Sequence, residues 1–237
     1  MRAKEDTSGL VLDSVCLRLE GAPLISIDCQ IRPGSILTIM GESGSGKSSL
    51  LDFIAGFLKP AFQAEGKLLL NGETLSGRPA QERQIGLMFQ SPLLFPHMSV
   101  LQNLLFALPA SISTRSERKD TALKALEDVG LAGFAGRDPA TLSGGQQTRV
   151  ALMRTLLADP KALLLDEPFS SLDQTRRADV RDLVFRLARE KNLPVLLVTH
   201  DQEDAAAAGG MIHYLDGRDP GAGCSGFARP KPVSAQS

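Results

Sequence analysis

Residues 10–19 (LVLDSVCLRL) are dense in branched apolar side chains, a composition that predicts a strand. Ile25, Ile27, Cys29 and Ile31 alternate with Ser26, Asp28 and Gln30, the period of a strand with one buried face, and Pro33-Gly34 ends it. SILTIM (35–40) shows no alternation and predicts a strand buried on both faces. A Gly/Ser-rich loop follows, and then SLLDFIAGFL (49–58) is apolar at helical spacing. GKLLLNGETL (66–75) predicts a strand and an Asn-Gly turn, and IGLMF (85–89) a short buried strand. From about 91 to 159 the period changes. Leu101, Leu104, Leu105 and Leu108 sit at helical spacing, as do Ala122, Leu123, Leu126 and Val129, which predicts a helical lobe. Strand texture returns at ALLL (162–165) and VLLVT (195–199), on either side of a long helix over about 173–191. Strands alternating with helices around unpatterned apolar runs predict an α/β fold with a parallel sheet covered on both faces. The expected division is a core of about 1–90 and 160–216 and a lobe of about 91–159. Residues 217–237, heavy in Gly, Pro and Ser, are expected to form a flexible tail.

Composition narrows this picture. A chain of 237 residues suits one domain, or two lobes sharing a core. With 26 basic and 27 acidic side chains it is not a generally basic nucleic-acid binder. No apolar stretch approaches the length that spans a bilayer. The start, MRAKEDTSGL, carries acidic residues where a secretory signal needs an apolar run, so a cytosolic protein is expected. Cys16, Cys29 and Cys224 are too widely spaced for a metal pattern and read as reduced, structural thiols.

GESGSGKS (41–48) fits G-x-x-x-x-G-K-[ST] between a buried strand and a helix, the context that motif requires. Its glycines let the backbone wrap a phosphate, and the helix N-terminus adds positive potential. Gly41, Glu42, Ser43, Gly44, Ser45, Gly46, Lys47, Ser48 and Ser49 are the expected nucleotide-binding residues. Lys47 reaches the β and γ phosphates and Ser48 ligates Mg²⁺. LLLDE (163–167) is the second half of such a site. Asp166 would hold Mg²⁺, and Glu167 would polarise the attacking water. To this point the residues define only a P-loop NTPase.

LSGGQ (142–146) opens a helix, with Ser143 as its N-cap. Here the chain resembles the ATP-binding subunits of ABC transporters. Further elements fall in that family's order: Gln90 at a strand end (the Q-loop), SLD at 171–173 (the D-loop) and His200 after VLLVT (the switch histidine). The resemblance covers about residues 10–216. It implies a RecA-like P-loop core with an N-terminal antiparallel β subdomain and an inserted helical subdomain. It implies an ATPase, with ATP and Mg²⁺ as its cofactors and with Glu167, His200 and Gln90 catalytic. Ser48, Gln90 and Asp166 would be the metal ligands. It also implies a head-to-tail dimer, in which Ser143, Gly144 and Gly145 of one copy close over the ATP held by Lys47 of a second copy, with Gln146 and Asp173 as further nucleotide-binding residues.

The family stacks an aromatic ring on adenine, supplied some 20–25 residues before the loop, yet no Phe, Tyr or Trp precedes Phe53. Leu19, beside Arg18, falls at the corresponding place, so weak base discrimination and acceptance of GTP are expected. SPLLFPHMSVLQNLLFALP (91–109) resembles prokaryotic importers of the thiamine, polyamine and iron type, and Phe95, His97 and Met98 are candidates for a groove that receives a membrane subunit. The implied partners are a second copy, transmembrane permease subunits and a substrate-binding protein, without nucleic acid. The implied location is the cytoplasmic side of the inner membrane. Two alternatives are an ABC-type ATPase not coupled to transport and a P-loop small-molecule kinase; the second leaves LSGGQ, SLD and His200 without a role.

Overall fold

A computed structural model of the chain describes residues 7–42 and 44–215, with the backbone alone described at Thr175 and Arg176. The expected tail, Cys224 and Ser43 of the expected nucleotide-binding loop lie outside these residues. Strands β1 (Leu10–Leu19), β2 (Ala22–Ile31) and β3 (Ile36–Gly41) lead into α1 (Lys47–Ala55), β4 (Phe62–Leu70), β5 (Glu73–Thr74) and β6 (Ile85–Met88). Helices α2 (Val100–Ala107), α3 (Arg115–Asp128) and α4 (Gly144–Leu157) follow. Then come β7 (Ala162–Asp166), α5 (Gln174–Glu190), β8 (Val195–Val198), α6 (Gln202–Ala208) and β9 (Met211–Leu215).

The strands form two sheets. One is antiparallel in the order β2-β1-β4-β5, and the other is parallel in the order β6-β7-β8-β3-β9. In β1 the buried residues are Leu10 and Leu12, then Val15 and Leu17. A bulge at Asp13-Ser14, with Ser14 at φ 53°, shifts the phase so that both pairs face the same core. Opposite it, Gly66 holds φ 91°, and a Cβ there would lie 2.4 Å from the Ser14 carbonyl oxygen. GKLLL predicts a strand beginning at Gly66; pairing with β1 extends it back to Phe62.

The unpatterned runs of the parallel sheet are explained by two cores. Leu163, Leu165, Val195 and Leu197 face one core with α2, α3, α4 and α5. Ala162, Leu164, Leu196 and Val198 face the other, with α1 and the antiparallel sheet. Burial on both faces removes the period-2 signal, while each leucine so buried contributes roughly 1.5–3 kcal/mol. β9 is unmarked in the sequence because Met211, Ile212 and Tyr214 remain exposed; its parallel pairing with β3 alone makes it a strand. Cys29 is buried, which pushes its thiol up to about 12, with Asp28 adding to the shift, consistent with an unreactive structural thiol.

Candidate functional site

All five strands of the parallel sheet run the same way, so their carboxyl ends share one edge, where open α/β sheets bind ligands. Met88 is in register with Leu165, Asp166 with Val198, and Val198 with Ile39. The register therefore lines up four exits side by side: Gln90 beyond β6, Asp166 at the end of β7 with Glu167 just past it, His200 beyond β8, and the loop beyond β3. Gln90 lies exposed, two residues past the end of β6.

The loop wraps its own lysine. Lys47 is buried, and Nζ donates to the carbonyls of Gly41 (2.8 Å) and Glu42 (2.6 Å) and to Ser45 Oγ (3.3 Å). Burial lowers the proton affinity of this ammonium, and the Glu167 and Asp166 carboxylates act the other way. Gly44 and Gly46 hold φ 86° and 90°. At Gly46 a Cβ would also meet Leu24 Cγ at 2.9 Å, so only glycine suits this turn. Gly46 starts α1, and no side chain caps it, so the first N–H groups face the site without a side-chain acceptor.

Across the loop, the Ser48 hydroxyl hydrogen-bonds to the Asp166 carboxylate. Burial first, and the neighbouring Glu167 with it, holds the Asp166 carboxyl above its usual range, against the lowering effect of Ser48. Glu167 stands at φ 45°, a left-handed conformation that non-glycine residues adopt at a cost of about 1 kcal/mol or more. It is held there by its N–H to the Val198 carbonyl (2.9 Å) and by Ser170 Oγ donating to its own carbonyl (2.8 Å). The result is a carboxylate 3.1 Å from His200 Nδ1, with the histidine ring exposed. A cleft of about 260 Å³ opens here, lined by Gly44, Gly46, Lys47, Ser48, Ser49 and Glu167 together with Leu19, Leu24 and Phe62. Phe62 is a residue that sequence reasoning missed. The signal was available only through strand pairing, because Phe62 lies opposite Leu19 in the β1–β4 register.

The LSGGQ residues (142–146) sit elsewhere. Ser143 caps α4: its Oγ accepts from the Gln146 N–H (3.4 Å) while Gln146 Oε1 accepts from the Ser143 N–H (3.0 Å), a capping box. Neither Ser143–Gln146 nor Asp173 lines the cleft at the loop. Gly144 faces Leu172 and Ser171, its ideal Cβ 3.6 Å from Leu172 Cδ2, and Gly145 faces Val180 at 3.6 Å. These are ordinary contact distances, and neither residue has a positive φ. The chain's own packing would admit alanine at both.

The two regions are joined by a buried charge cluster. Asp204 in α6 is 1% exposed; it accepts from Arg177 Nε (3.1 Å) and Arg181 (3.3 Å) of α5 and from Thr199 Oγ1 (3.3 Å). Arg177 also pairs with Asp201 at 3.0 Å, and Thr199 and Asp201 flank His200. α5 begins directly after Asp173, so the cluster ties the SLD segment to the histidine loop. On the helical lobe, buried Asn103 holds the 95–99 turn by accepting from the Phe95 N–H (2.8 Å) and donating to the carbonyls of Phe95, Met98 and Ser99. Phe95 is half-buried between Phe106 and Arg154, His97 is exposed and Met98 is half-buried. Phe89, Leu93 and Phe106 are the large exposed apolar residues of this surface, which the sequence did not single out.

A phosphate-wrapping loop, a carboxylate pair and a histidine at the carboxyl edge of a parallel sheet define a P-loop nucleoside-triphosphatase. The family description "ABC transporter" matches residues 24–170. The chain is 47% identical over 204 residues to the uncharacterized ABC transporter ATP-binding protein YnjD of Escherichia coli (strain K12), covering 86% of this chain and 94% of that one. It is 40% identical over 189 residues to the Fe(3+) ions import ATP-binding protein FbpC of Brucella abortus (strain 2308), covering 80% of this chain and 53% of that one. It is 39% identical over 204 residues to the Fe(3+) ions import ATP-binding protein FbpC 1 of Rhizobium meliloti (strain 1021), covering 86% and 57%. The chain thus spans nearly all of the first relative and little more than half of the other two. It belongs to the ABC transporter family, as an ATP-binding ATPase subunit.

Proposed function

We propose that this chain powers an importer by binding and hydrolysing ATP between two copies arranged head to tail, each completing the other's site. One observation carries this reading. Lys47, Ser48, Asp166, Glu167 and His200 meet at one sheet edge, whereas Ser143, Gly144 and Gly145 present a second anion-suited helix end that lines no part of their cleft. Glycine at 144 and 145 supports it further. Each glycine in a helix forfeits up to about 1 kcal/mol relative to alanine. The chain's own packing gives no reason for that loss, and a phosphate of a second copy's nucleotide, approaching the bare backbone, supplies one.

Within this reading Mg²⁺ is held by Ser48, Asp166 and Gln90. The donors fit: they are hard oxygens, two of them already hydrogen-bonded to each other, and the carboxyl among them is held above its usual range by burial despite the nearby Lys47. Among the described residues no group of three or more His, Cys, Asp or Glu gathers to hold a metal. When bound, the ion neutralises phosphate charge. Glu167 accepts a proton from the attacking water, His200 and Gln90 orient around it, and Asp173 and Ser143 act from the second copy.

The importer assignment is supported by the Fe(3+) import names of relatives that match this chain over part of their length. The partners are permease subunits docking near Phe95, His97 and Met98, with a substrate-binding protein beyond them, and the chain works at the cytoplasmic side of the membrane. No helix among the described residues is long and apolar enough to cross a membrane. The core of about 1–90 and 160–216 carries Lys47 and Glu167, and the lobe of about 91–159 carries the signature.

The test is size-exclusion of Glu167→Gln with and without Mg·ATP. An ATP-dependent shift from the mass of one chain to that of two is expected. A monomer that binds ATP, alone and with permease subunits present, would overturn the shared site.

A further inference from the structure

The cleft at the phosphate loop has a second wall that the phosphate chemistry leaves unexplained. Leu19, Leu24 and Phe62 line it, and none of the three side chains carries a hydrogen-bonding group. Leu24 packs on the loop itself, because its Cγ lies where a Cβ of Gly46 would come within 2.9 Å. Leu19 is 37% exposed at the end of β1, fixed by a two-residue turn in which Glu20 and Gly21 hold φ 51° and 83°. Phe62, half-buried, is its antiparallel partner on β4. It is the one aromatic ring in the lining, and it arrives from beyond α1, past the stretch in which no aromatic occurs. The bulge at Asp13-Ser14 and the matching Gly66 set the register that brings it there.

We propose that Phe62 is the base platform of the nucleotide site, so that the stacking surface is supplied by β4 across from Leu19. This rests on the nucleotide site described above. A ring of this kind offers a π-face that every base can cover, while its aliphatic neighbours read no base edge. Purine nucleotides are therefore held by stacking, with adenine and guanine accepted alike.

The chain contains no Trp and one Tyr, Tyr214, so Phe62→Trp introduces its single indole at the platform, which excitation at the red edge of indole absorption reads apart from Tyr214. Mg·ADP and Mg·GDP are expected to quench its emission with similar midpoints, while inorganic tripolyphosphate, which fills the loop without a base, leaves it unchanged. By calorimetry, Phe62→Ala and Phe62→Leu are expected to weaken ADP and GDP roughly tenfold, the second despite its retained apolar volume, with tripolyphosphate binding as in the parent chain. ADP affinity within about twofold of the parent in both variants would overturn the proposal. So would equal quenching by tripolyphosphate, or loss of ADP and tripolyphosphate together, which would make Phe62 a support of the loop. A parent chain that binds tripolyphosphate and no ADP would overturn the base platform alone. One that binds neither would overturn the nucleotide site itself, and the platform with it.

Discussion

Two helix ends in this molecule are built from the same small residues and finished in opposite ways. α1 begins at Gly46 in a left-handed turn, with no side-chain cap, and its lysine is folded onto loop carbonyls. α4 begins at Ser143 in extended backbone and is closed by a reciprocal pair of hydrogen bonds with Gln146. The first end needs its glycines for the conformation of this chain: Gly46 would clash with Leu24 if it bore a Cβ. The second is already a finished helix terminus whose glycines meet nothing closer than 3.6 Å. Gly46 is thus demanded by the geometry of this chain. Gly144 and Gly145 are not, and under the proposed shared site the phosphate of a second copy's nucleotide would account for them.

The largest expected effect falls on the first end. Glu167→Gln removes the proposed proton acceptor beside the loop, and turnover is expected to fall by roughly 10² to 10⁴ while nucleotide binding persists. Steady-state hydrolysis alongside equilibrium ADP binding checks both halves, and hydrolysis equal to that of the parent chain would remove Glu167 from its role. Next comes the cluster that ties α5 to α6 and the histidine loop. Asp204→Ala strands Arg177 and Arg181 around an empty centre, and breaking a buried pair of this kind costs about 3–5 kcal/mol. Thermal unfolding should show it as the most destabilising of the changes discussed here, and a loss under about 1 kcal/mol would mean that water satisfies the arginines.

The two glycines then test the comparison directly. Gly46→Ala forces a positive φ on alanine and a contact with Leu24, and should destabilise the isolated chain by roughly 1–3 kcal/mol. Gly144→Ala should leave the melting temperature level or raise it, by up to about 1 kcal/mol in stability. It should nevertheless depress ATP hydrolysis at least as much as Gly46→Ala does. If Gly144→Ala hydrolyses ATP like the parent chain, the second helix end plays no part in the reaction.

How much of this was legible beforehand follows the same physics. Local signals announced themselves: the loop at 41–48, the carboxylates after three leucines, and the Ser143 cap all depend on residues within one turn or one strand. The double burial of β7 and β8 was visible as runs whose alternation disappears, whereas the break in phase within β1 became explicable only through its bulge. What escaped notice was long-range. β9 buries too little to leave an apolar pattern, and its identity comes from a partner strand some 170 residues earlier. Phe62 seemed to precede a strand because Gly66 interrupts it. The interruption is the mate of a bulge in β1, which no local window contains. The pairing of Arg177 with Asp204 depends on α5 meeting α6, and no local pattern marks either residue.

The smallest expected effect concerns Asp166 and carries a sign that distinguishes the two ends once more. Burial, reinforced by Glu167, holds this carboxyl above its usual range, so keeping it ionised at neutral pH lowers the stability of the folded chain. That loss disappears as pH falls through the raised value, because the proton then resides where the folded state prefers it. Replacing Asp166 with Asn should thus raise the melting temperature of the nucleotide-free chain at pH 7, by an increment that shrinks toward zero on acidification. About 2–4 °C corresponds to 1 kcal/mol for a chain of this length. The parent chain, but not this variant, should recover the difference when Mg²⁺ and ADP are added together. Ser143→Ala has no such dependence: losing a neutral cap should lower stability by about 1 kcal/mol at every pH. An Asp166→Asn increment that is flat with pH would show that the carboxyl is already compensated in the empty site, leaving no deficit for a cation to fill.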